Sequence, residues 1–530
     1  MPKNINDTLM SYLTGVLPDL FKKSLRKRAL LAVISGLAAF AAFPPLELPF
    51  TAWLAFIPLF HVIATSGYRK SFWYSYLAGV VFFASVLYWL TVVSVPGFIL
   101  LSLLLAVIFG LFGLMSRFVM KYSINLLAIP FAWVVLEYVR AHLFTGFPWA
   151  LLGYSQYTNI NLIQIADMTG AYGVSFLLMT FNVAVWAWLA GSRRKVSYLM
   201  ISLLLIIAAT SYGMYRRDNM PEGSPARISV VQGNIEQDLK WDQRSAEAII
   251  DKYTDLTRNA LADAPDIIIW PETSYPYLLR DVDMAGSPMA ELSEEAGTPI
   301  LAGVAYERDD VMYNSAVLFT GAEKQPEIYR KVHLVPFGEY IPFEERLGPL
   351  RKYIDKPIGD FRPGNDYKIF SFRSVTRSGD HRSMLVRRTT FHKLGVLICF
   401  EDVFPYIARN FAREGAGILA NITNDAWFGR TAASRQHLQA SVFRAVENRV
   451  PVVRAANTGI SAFVDIFGKV ISRVEVDGRE IFVEGYDTRE IMTVPVKSAY
   501  TEYGDIFVFF AGFFLLFLVI TEKFLSLTKK

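Results

Sequence analysis

Between residues 29 and 214 the chain is almost continuously apolar, and this stretch constrains its fold more than any other feature of the sequence. A helical crossing of a bilayer takes roughly 20 apolar residues. Divided at its polar and proline-rich points, the stretch reads as spans at 29–45, 51–66, 72–94, 97–117, 125–142, 171–191 and 196–214, with an eighth at 505–522. The first two are short for the purpose. The 29–45 run has the length of a signal-peptide core, but Phe43-Pro44-Pro45 follows in place of a small-residue cleavage site, and further spans come at once.

Basic residues give the expected orientation. Lys22, Lys23, Arg26, Lys27 and Arg28 precede the first span. Arg69 with Lys70, Arg117 with Lys121, and Arg193, Arg194 and Lys195 lie in alternate short loops, and Lys529 and Lys530 come last. Eight spans place all of them on one side, which the positive-inside rule makes cytoplasmic. The reading is therefore a cytoplasmic N-terminus (1–28), seven spans (29–214), a soluble domain outside the cytoplasm (225–495), an eighth span (505–522) and a cytoplasmic tail (523–530). Arg216-Arg217, on the outer side, runs against the pattern, although a long translocated domain overrides such a pair. The 143–170 loop carries Phe147-Pro148-Trp149 and Gly153-Tyr154-Ser155-Gln156-Tyr157. It reads either as an aromatic anchor at headgroup level or as a lipid entrance beneath the outer domain.

The net charge of +5 brings no dense Lys/Arg stripe outside the membrane flanks, which argues against a nucleic-acid partner. A single cysteine precludes an internal disulfide. No two of the histidines, His61, His142, His333, His381, His392 and His437, stand at a metal-ligand spacing, so no metal site is expected.

In the soluble region, short apolar runs at 227–231, 266–269, 299–305, 314–320, 394–399, 416–422, 451–456 and 461–466 alternate with helical patterns near 243–263, 284–296, 404–413 and 433–449. Alternation of this kind predicts a layered α/β domain. The 374–390 segment, with Arg377, Arg382, Arg387 and Arg388, reads as an exposed loop or hairpin.

Three residues stand where chemistry is plausible on residue type. Cys399 ends the run Leu394-Gly395-Val396-Leu397-Ile398 and is followed by Phe400-Glu401-Asp402. A lone cysteine is more often a small core hydrophobe. Here it opens an expected helix, whose N-terminus favours a thiolate. Glu272 ends the strand before it, behind Trp270-Pro271; such a carboxylate is commonly a turn residue, but one removed from water accepts a thiol proton well. Lys331, in Tyr329-Arg330-Lys331-Val332-His333, is by default surface charge, yet its aromatic surroundings suit an ammonium that stabilises an oxyanion.

In chain order these three resemble the Glu-Lys-Cys triad of the nitrilase superfamily. With the added spans, the chain resembles the apolipoprotein N-acyltransferase family. The likeness extends over Gln232-Gly233-Asn234, Trp241-Asp242, His333-Leu334-Val335-Pro336-Phe337-Gly338-Glu339, Phe361-Arg362-Pro363-Gly364, Asn424-Asp425-Ala426-Trp427-Phe428-Gly429 and Asn457-Thr458-Gly459. The resemblance implies a nitrilase-like α-β-β-α sandwich on a polytopic helical membrane bundle, in the inner membrane with the catalytic domain on the periplasmic side. It implies a monomer that needs no cofactor. The implied reaction moves an acyl chain from a phospholipid, typically phosphatidylethanolamine, to the α-amine of the diacylglyceryl-cysteine of an apolipoprotein, through a thioester on Cys399. Glu339 and Glu401 match supporting carboxylates, and Trp241, Phe400, Trp427 and Trp149 are expected to bind substrate. The basic 374–390 segment is longer than the family pattern suggests.

Two other functions fit parts of the sequence. A tethered nitrilase-type amidase shares the triad but needs one span only. A transporter needs charges along its path, and apart from Glu137 and Arg140 the spans hold almost none. Reporter fusions near Tyr68, Tyr122 and Lys195 are expected to report cytoplasm and one within 225–495 the outer side; a cytoplasmic signal from the soluble domain overturns the orientation.

Overall fold

Among the described residues, thirteen strands arise from the apolar runs of the soluble region and the segments between them. The computed structural model describes residues 25–528 apart from 123–124, 242, 285, 322–325, 343–344, 346–347, 349–359 and 379–385. In chain order the strands are β1 (Ser224–Gln232), β2 (Ile267–Ile269), β3 (Tyr275–Arg280), β4 (Ile300–Arg308), β5 (Val311–Phe319), β6 (Glu327–Arg330), β7 (Phe370–Ser378), β8 (Val386–Ile398), β9 (Ile418–Thr423), β10 (Val452–Ala456), β11 (Ala462–Val464), β12 (Val470–Arg473) and β13 (Gly485–Thr493). One sheet runs β13-β1-β2-β4-β5-β6 with β3 on β4, the other β12-β11-β10-β9-β8-β7. The centre of each sheet is parallel and its margins antiparallel.

Two-residue periodicity builds the layers. Ile228, Val230, Ile267, Ile269 and Leu301 share a core with Val396, Ile398 and Leu419 of the facing sheet. Their neighbours Val231, Ile268, Trp270, Ile300 and Ala302 turn outward onto Ile249, Tyr253 and Leu256 of the Ala246–Ala260 helix. The Pro405–Arg413 and Ala433–Asn448 helices cover the second sheet, completing the expected α-β-β-α sandwich. The 374–390 segment is a hairpin of β7 and β8, paired as far as Ser378↔Val386; its tip, with Arg382, lies outside the described residues.

The helical half departs from the expected eight spans. Among the described residues three helices, Val95–Lys121, Ala171–Leu189 and Lys195–Asp218, are long and apolar enough to cross a bilayer by length and composition. The 51–66 run is divided into a 3-10 turn, Pro49–Trp53, and an eight-residue helix, Ile57–Ala64, each with a proline in its first turn. Leu25–Ala41 stops short of Phe43-Pro44-Pro45, and Ala128–His142 spans 15 residues that include Glu137 and Arg140. Ile506–Thr528 covers the last span. Lys22, Lys23, Lys529 and Lys530 lie outside the described residues. The outward faces are nonetheless apolar: Leu100, Leu104, Ile207, Phe509 and Phe513 are exposed, a surface that calls for lipid.

The two halves meet through buried polar groups. Arg216, the residue that ran against the charge pattern, donates to Asp167 (3.1 Å), which also takes Arg449 (2.7 Å) from the soluble domain. Gln436, on the Ala433–Asn448 helix, reaches into the helical half and fills its capacity there. Its Oε1 accepts from Trp89 (3.1 Å) and Trp149 (2.8 Å), and its Nε2 donates to the carbonyls of Pro44 (2.9 Å) and Val86 (3.0 Å). The Phe43-Pro44-Pro45 and Phe147-Pro148-Trp149 motifs are thus held by one side chain. Gln436→Ala strands four buried groups, each at about 1–3 kcal/mol before relaxation. It is expected to lower the thermal unfolding midpoint in detergent by several degrees, and an unchanged midpoint would show that Gln436 contributes little to holding the halves together.

Candidate active site

Strand ends bring the three chemical candidates together from both sheets. Glu272 lies three residues past the end of β2, Lys331 directly follows β6, and Cys399 directly follows β8. Cys399 sits at φ +54°, a left-handed conformation that costs a non-glycine residue energy and is typical of a functional turn. Asn421 steadies it, donating to its carbonyl (3.0 Å) and to that of Leu397 (3.2 Å). The Glu272 turn is wedged against β4 at Gly303, where a Cβ would lie 2.5 Å from the Glu272 Cα.

Fixed hydrogen bonds orient the charges. Glu272 Oε1 accepts from Asn314 (2.8 Å) and its Oε2 from the Asn424 amide (2.9 Å). Lys331 Nζ lies 2.9 Å from Glu339 and 3.7 Å from Glu272. Burial works against its charge, but Glu339, then Glu272, outweigh burial and hold its pKa well above the usual lysine value. The Cys399 thiol moves the other way: burial, then the charge of Glu272, pushes it well above its ordinary range, with Lys331 opposing. This corrects the expected helix N-terminus, since Cys399–Val403 is a single 3-10 turn and the Pro405–Arg413 helix begins later. The resting sulfur is a neutral thiol whose proton must leave as the bond forms. A neutral thiol, a fixed carboxylate and a buried ammonium suit acyl transfer, in which the carboxylate moves the proton and the ammonium faces the developing oxyanion.

The two supporting carboxylates have different tasks. Glu339 grips Lys331 and also accepts from Asn314 (2.6 Å) and the Val335 amide (2.8 Å). Glu401 ties the Lys331 turn to the Cys399 turn, accepting from the amides of Val332 (2.7 Å), His333 (3.1 Å) and Ile398 (2.8 Å) and from Tyr329 (3.0 Å). Burial raises its pKa to about 7, against the pull of Lys331.

Behind Cys399 lies a cluster that sequence reading missed. His437 is held between Asp402 (2.7 Å) and Asp425 (3.1 Å), and Arg454 donates to Asp402 (2.8 Å). Thr423 donates to Asp425 (3.0 Å). Lys240 was also missed. It is buried and donates to the Glu272 carbonyl (2.7 Å) and to Thr273 (2.8 Å), and burial lowers its pKa to about 8. Its one signal was its place beside Trp241. Among the described residues no cluster of His, Cys, Asp and Glu could hold a metal ion.

The expected substrate-binding aromatics divide. Phe400 lies half-buried, nearly parallel to Trp149, with ring centroids 6.0 Å apart, and beside Phe147 at 6.1 Å. Trp427 is half-buried in the Asp425–Phe428 turn. Trp241 closes the Leu239–Trp241 turn; its side chain and Asp242 lie outside the described part. Trp149 and Tyr154 are buried between the halves instead of anchoring at headgroup level, because Gln436 and Arg444 draw their polar atoms inward.

Residues 35–184 match the family model described as the apolipoprotein N-acyltransferase N-terminal domain, and residues 227–491 that of carbon-nitrogen hydrolase. The chain is similar to the apolipoprotein N-acyltransferase of Geobacter metallireducens, 37% identical over 94% of this chain and 95% of that one. It is similar also to that of Methylococcus capsulatus, 32% identical over 86% and 89%. Among solved structures, a Saccharomyces cerevisiae member of branch 10 of the nitrilase superfamily covers 52% of this chain and 92% of its own, at 18% identity and a TM-score of 0.35.

The raised thiol pKa sets an outcome in solution. Alkylation proceeds through the thiolate, so iodoacetamide modification of Cys399 is expected to be slow at neutral pH and to climb with pH above 9. Lys331→Met removes the opposing charge and should shift that climb further upward. A plateau already reached near pH 7 would mean a resting thiolate.

Proposed function

The chain belongs to the apolipoprotein N-acyltransferase family, and on that premise we propose that it acylates lipoproteins in two steps through Cys399, with Glu272 and Lys331 as partners. Lipoprotein N-acylation is the activity of the family, and the membrane supplies its substrates. The donor is a phospholipid, typically phosphatidylethanolamine, and the acceptor the α-amine of a diacylglyceryl-cysteine. In the first step Glu272 takes the thiol proton while Sγ attacks the ester carbonyl. Lys331 faces the oxyanion; the carbon–oxygen bond breaks, and the lysophospholipid leaves with the proton from Glu272. In the second step the amine attacks the thioester, Glu272 takes its proton, and the carbon–sulfur bond breaks to give the amide and the thiol.

The observation that carries this reading is the convergence of Glu272, Lys331 and Cys399 from three strand ends on a site whose wall, through Trp149 and Phe147, comes from the apolar half. Glu339 and Glu401 position the site, and Phe400, Trp149 and Trp427 line the acyl path; Trp241, expected to bind substrate, has its side chain outside the described part. The domain limits are those drawn from the sequence, with the catalytic domain on the periplasmic side of the inner membrane and the protein a monomer.

Incubation with phospholipid alone is expected to raise the mass of the protein by one acyl chain at Cys399, removable with hydroxylamine. A diacylated lipopeptide should discharge it, and an N-acetylated one should not. Cys399→Ala should abolish thioester formation and transfer while folding normally, and Glu272→Gln and Lys331→Ala should each reduce thioester formation roughly a thousandfold or more. Substantial transfer by Cys399→Ala would remove the covalent mechanism.

A further inference from the structure

The Phe361-Arg362-Pro363-Gly364 motif has no part in the steps above, yet it folds back onto the site. The Gly364 amide donates to the Lys331 carbonyl (2.8 Å), and the Phe361 amide to that of Glu339 (3.1 Å). A Cβ on Gly364 would come within 2.4 Å of the Arg330 carbonyl oxygen, so only glycine lets the chain pass this close. The motif forms one wall of a pocket of about 250 Å³; Val332, His333 and Leu334 form the other, with Tyr340 beside them. The pocket therefore opens one residue beyond Lys331.

Its polar groups suit an anion. Arg362 is exposed, and among the described residues no carboxylate engages its guanidinium. His333 uses Nδ1 on the Tyr406 hydroxyl (2.9 Å), and burial, then Lys331, lowers its pKa to about 4, which leaves a neutral ring. A planar cationic fork beside neutral hydrogen-bonding groups matches a singly charged phosphate diester. The position matches as well. The His333 ring packs on Phe404 (3.8 Å), Phe404 on Phe400 (5.2 Å) and Phe400 on Trp149. A line of ring contacts thus runs from Trp149 of the helical half, past Phe400 next to Cys399, to His333 two residues from Lys331 and so to the pocket that holds Arg362. A glycerophospholipid has the same order: acyl chain, ester and, a few bonds on, phosphodiester.

We propose that this pocket binds the phosphodiester of the acyl-donor lipid, with Arg362 as its cation. The proposal deepens the acyl-transfer reading and rests on it. Thioester formation is measured by mass against rising phosphatidylethanolamine in detergent micelles, for the wild type, Arg362→Ala and Arg362→Lys. A p-nitrophenyl fatty ester serves as the donor without phosphate. Arg362→Ala should raise the half-saturating phospholipid concentration roughly tenfold, the loss of one charge-assisted contact, while Arg362→Lys keeps part of the affinity. Acylation by the p-nitrophenyl ester should be equal in all three.

An unchanged phospholipid dependence in Arg362→Ala overturns the proposal, as does an equal loss with the p-nitrophenyl ester. Failure of the wild type to form any thioester with phospholipid instead removes the acyl-transfer reading, and the pocket's role with it. Glycerophosphoethanolamine should compete with the phospholipid in the wild type and far less in Arg362→Ala. Competition as strong from inorganic phosphate would assign the pocket to the free anion and overturn the lipid assignment.

Discussion

Burial of the Ala433–Asn448 helix is the constraint on which the rest of the molecule depends. Every residue of it except Arg435 is buried, although Ser434, Gln436, His437, Gln439, Ser441, Arg444, Glu447 and Asn448 are polar. Buried polar groups must find partners or destabilise the fold, and this helix finds them on both sides. Gln436 takes Trp89, Trp149, Pro44 and Val86; Arg444 takes the Tyr154 hydroxyl; Glu447 accepts the Ala171 amide at the head of a membrane helix. One turn away, His437 and Ser441 hold Asp402 behind the cysteine. The helix gains its interactions only if the two halves sit in one relative position, so the aromatic wall from the apolar half is placed against Phe400 by the same contacts that brace Cys399.

The three candidate residues are divided between the sheets. Glu272 and Lys331 come from the sheet of β1, β2 and β6, Cys399 from that of β8 and β9. Glu401 bridges the division, gathering amides from both turns in one carboxylate. A site built across a sandwich in this way holds its geometry only while the sheets stay packed, and the shared core of Ile267, Ile269, Val396 and Ile398 does that packing.

Much of this was legible because it is local. Runs such as Ile267-Ile268-Ile269 and Val396-Leu397-Ile398 declare buried strands, and a chemically able residue just past each end declares a rim. The Arg216 anomaly, Lys240, Asn314 and the Asp402–His437–Asp425–Arg454 cluster were not legible. Each acquires meaning from a partner distant in sequence, as Arg454 does from Asp402, 52 residues away. The span count is not confirmed, for a related reason. Hydropathy registers that 51–66 is apolar but not that the chain there breaks into a 3-10 turn begun at Pro49 and a short helix with Pro58 in its first turn.

The neutral, enclosed state of Cys399 also bears on how the protein endures its surroundings. Peroxides and small disulfides attack sulfur through the thiolate, and a sulfenic acid survives best where a second cysteine can resolve it. This chain has no second cysteine. Burial, then the Glu272 carboxylate, pushes the thiol well above its ordinary range, so an oxidant meets little thiolate there. Such a sulfur turns nucleophilic only where a base takes its proton, so the enclosure that slows its chemistry also shields it from oxidants.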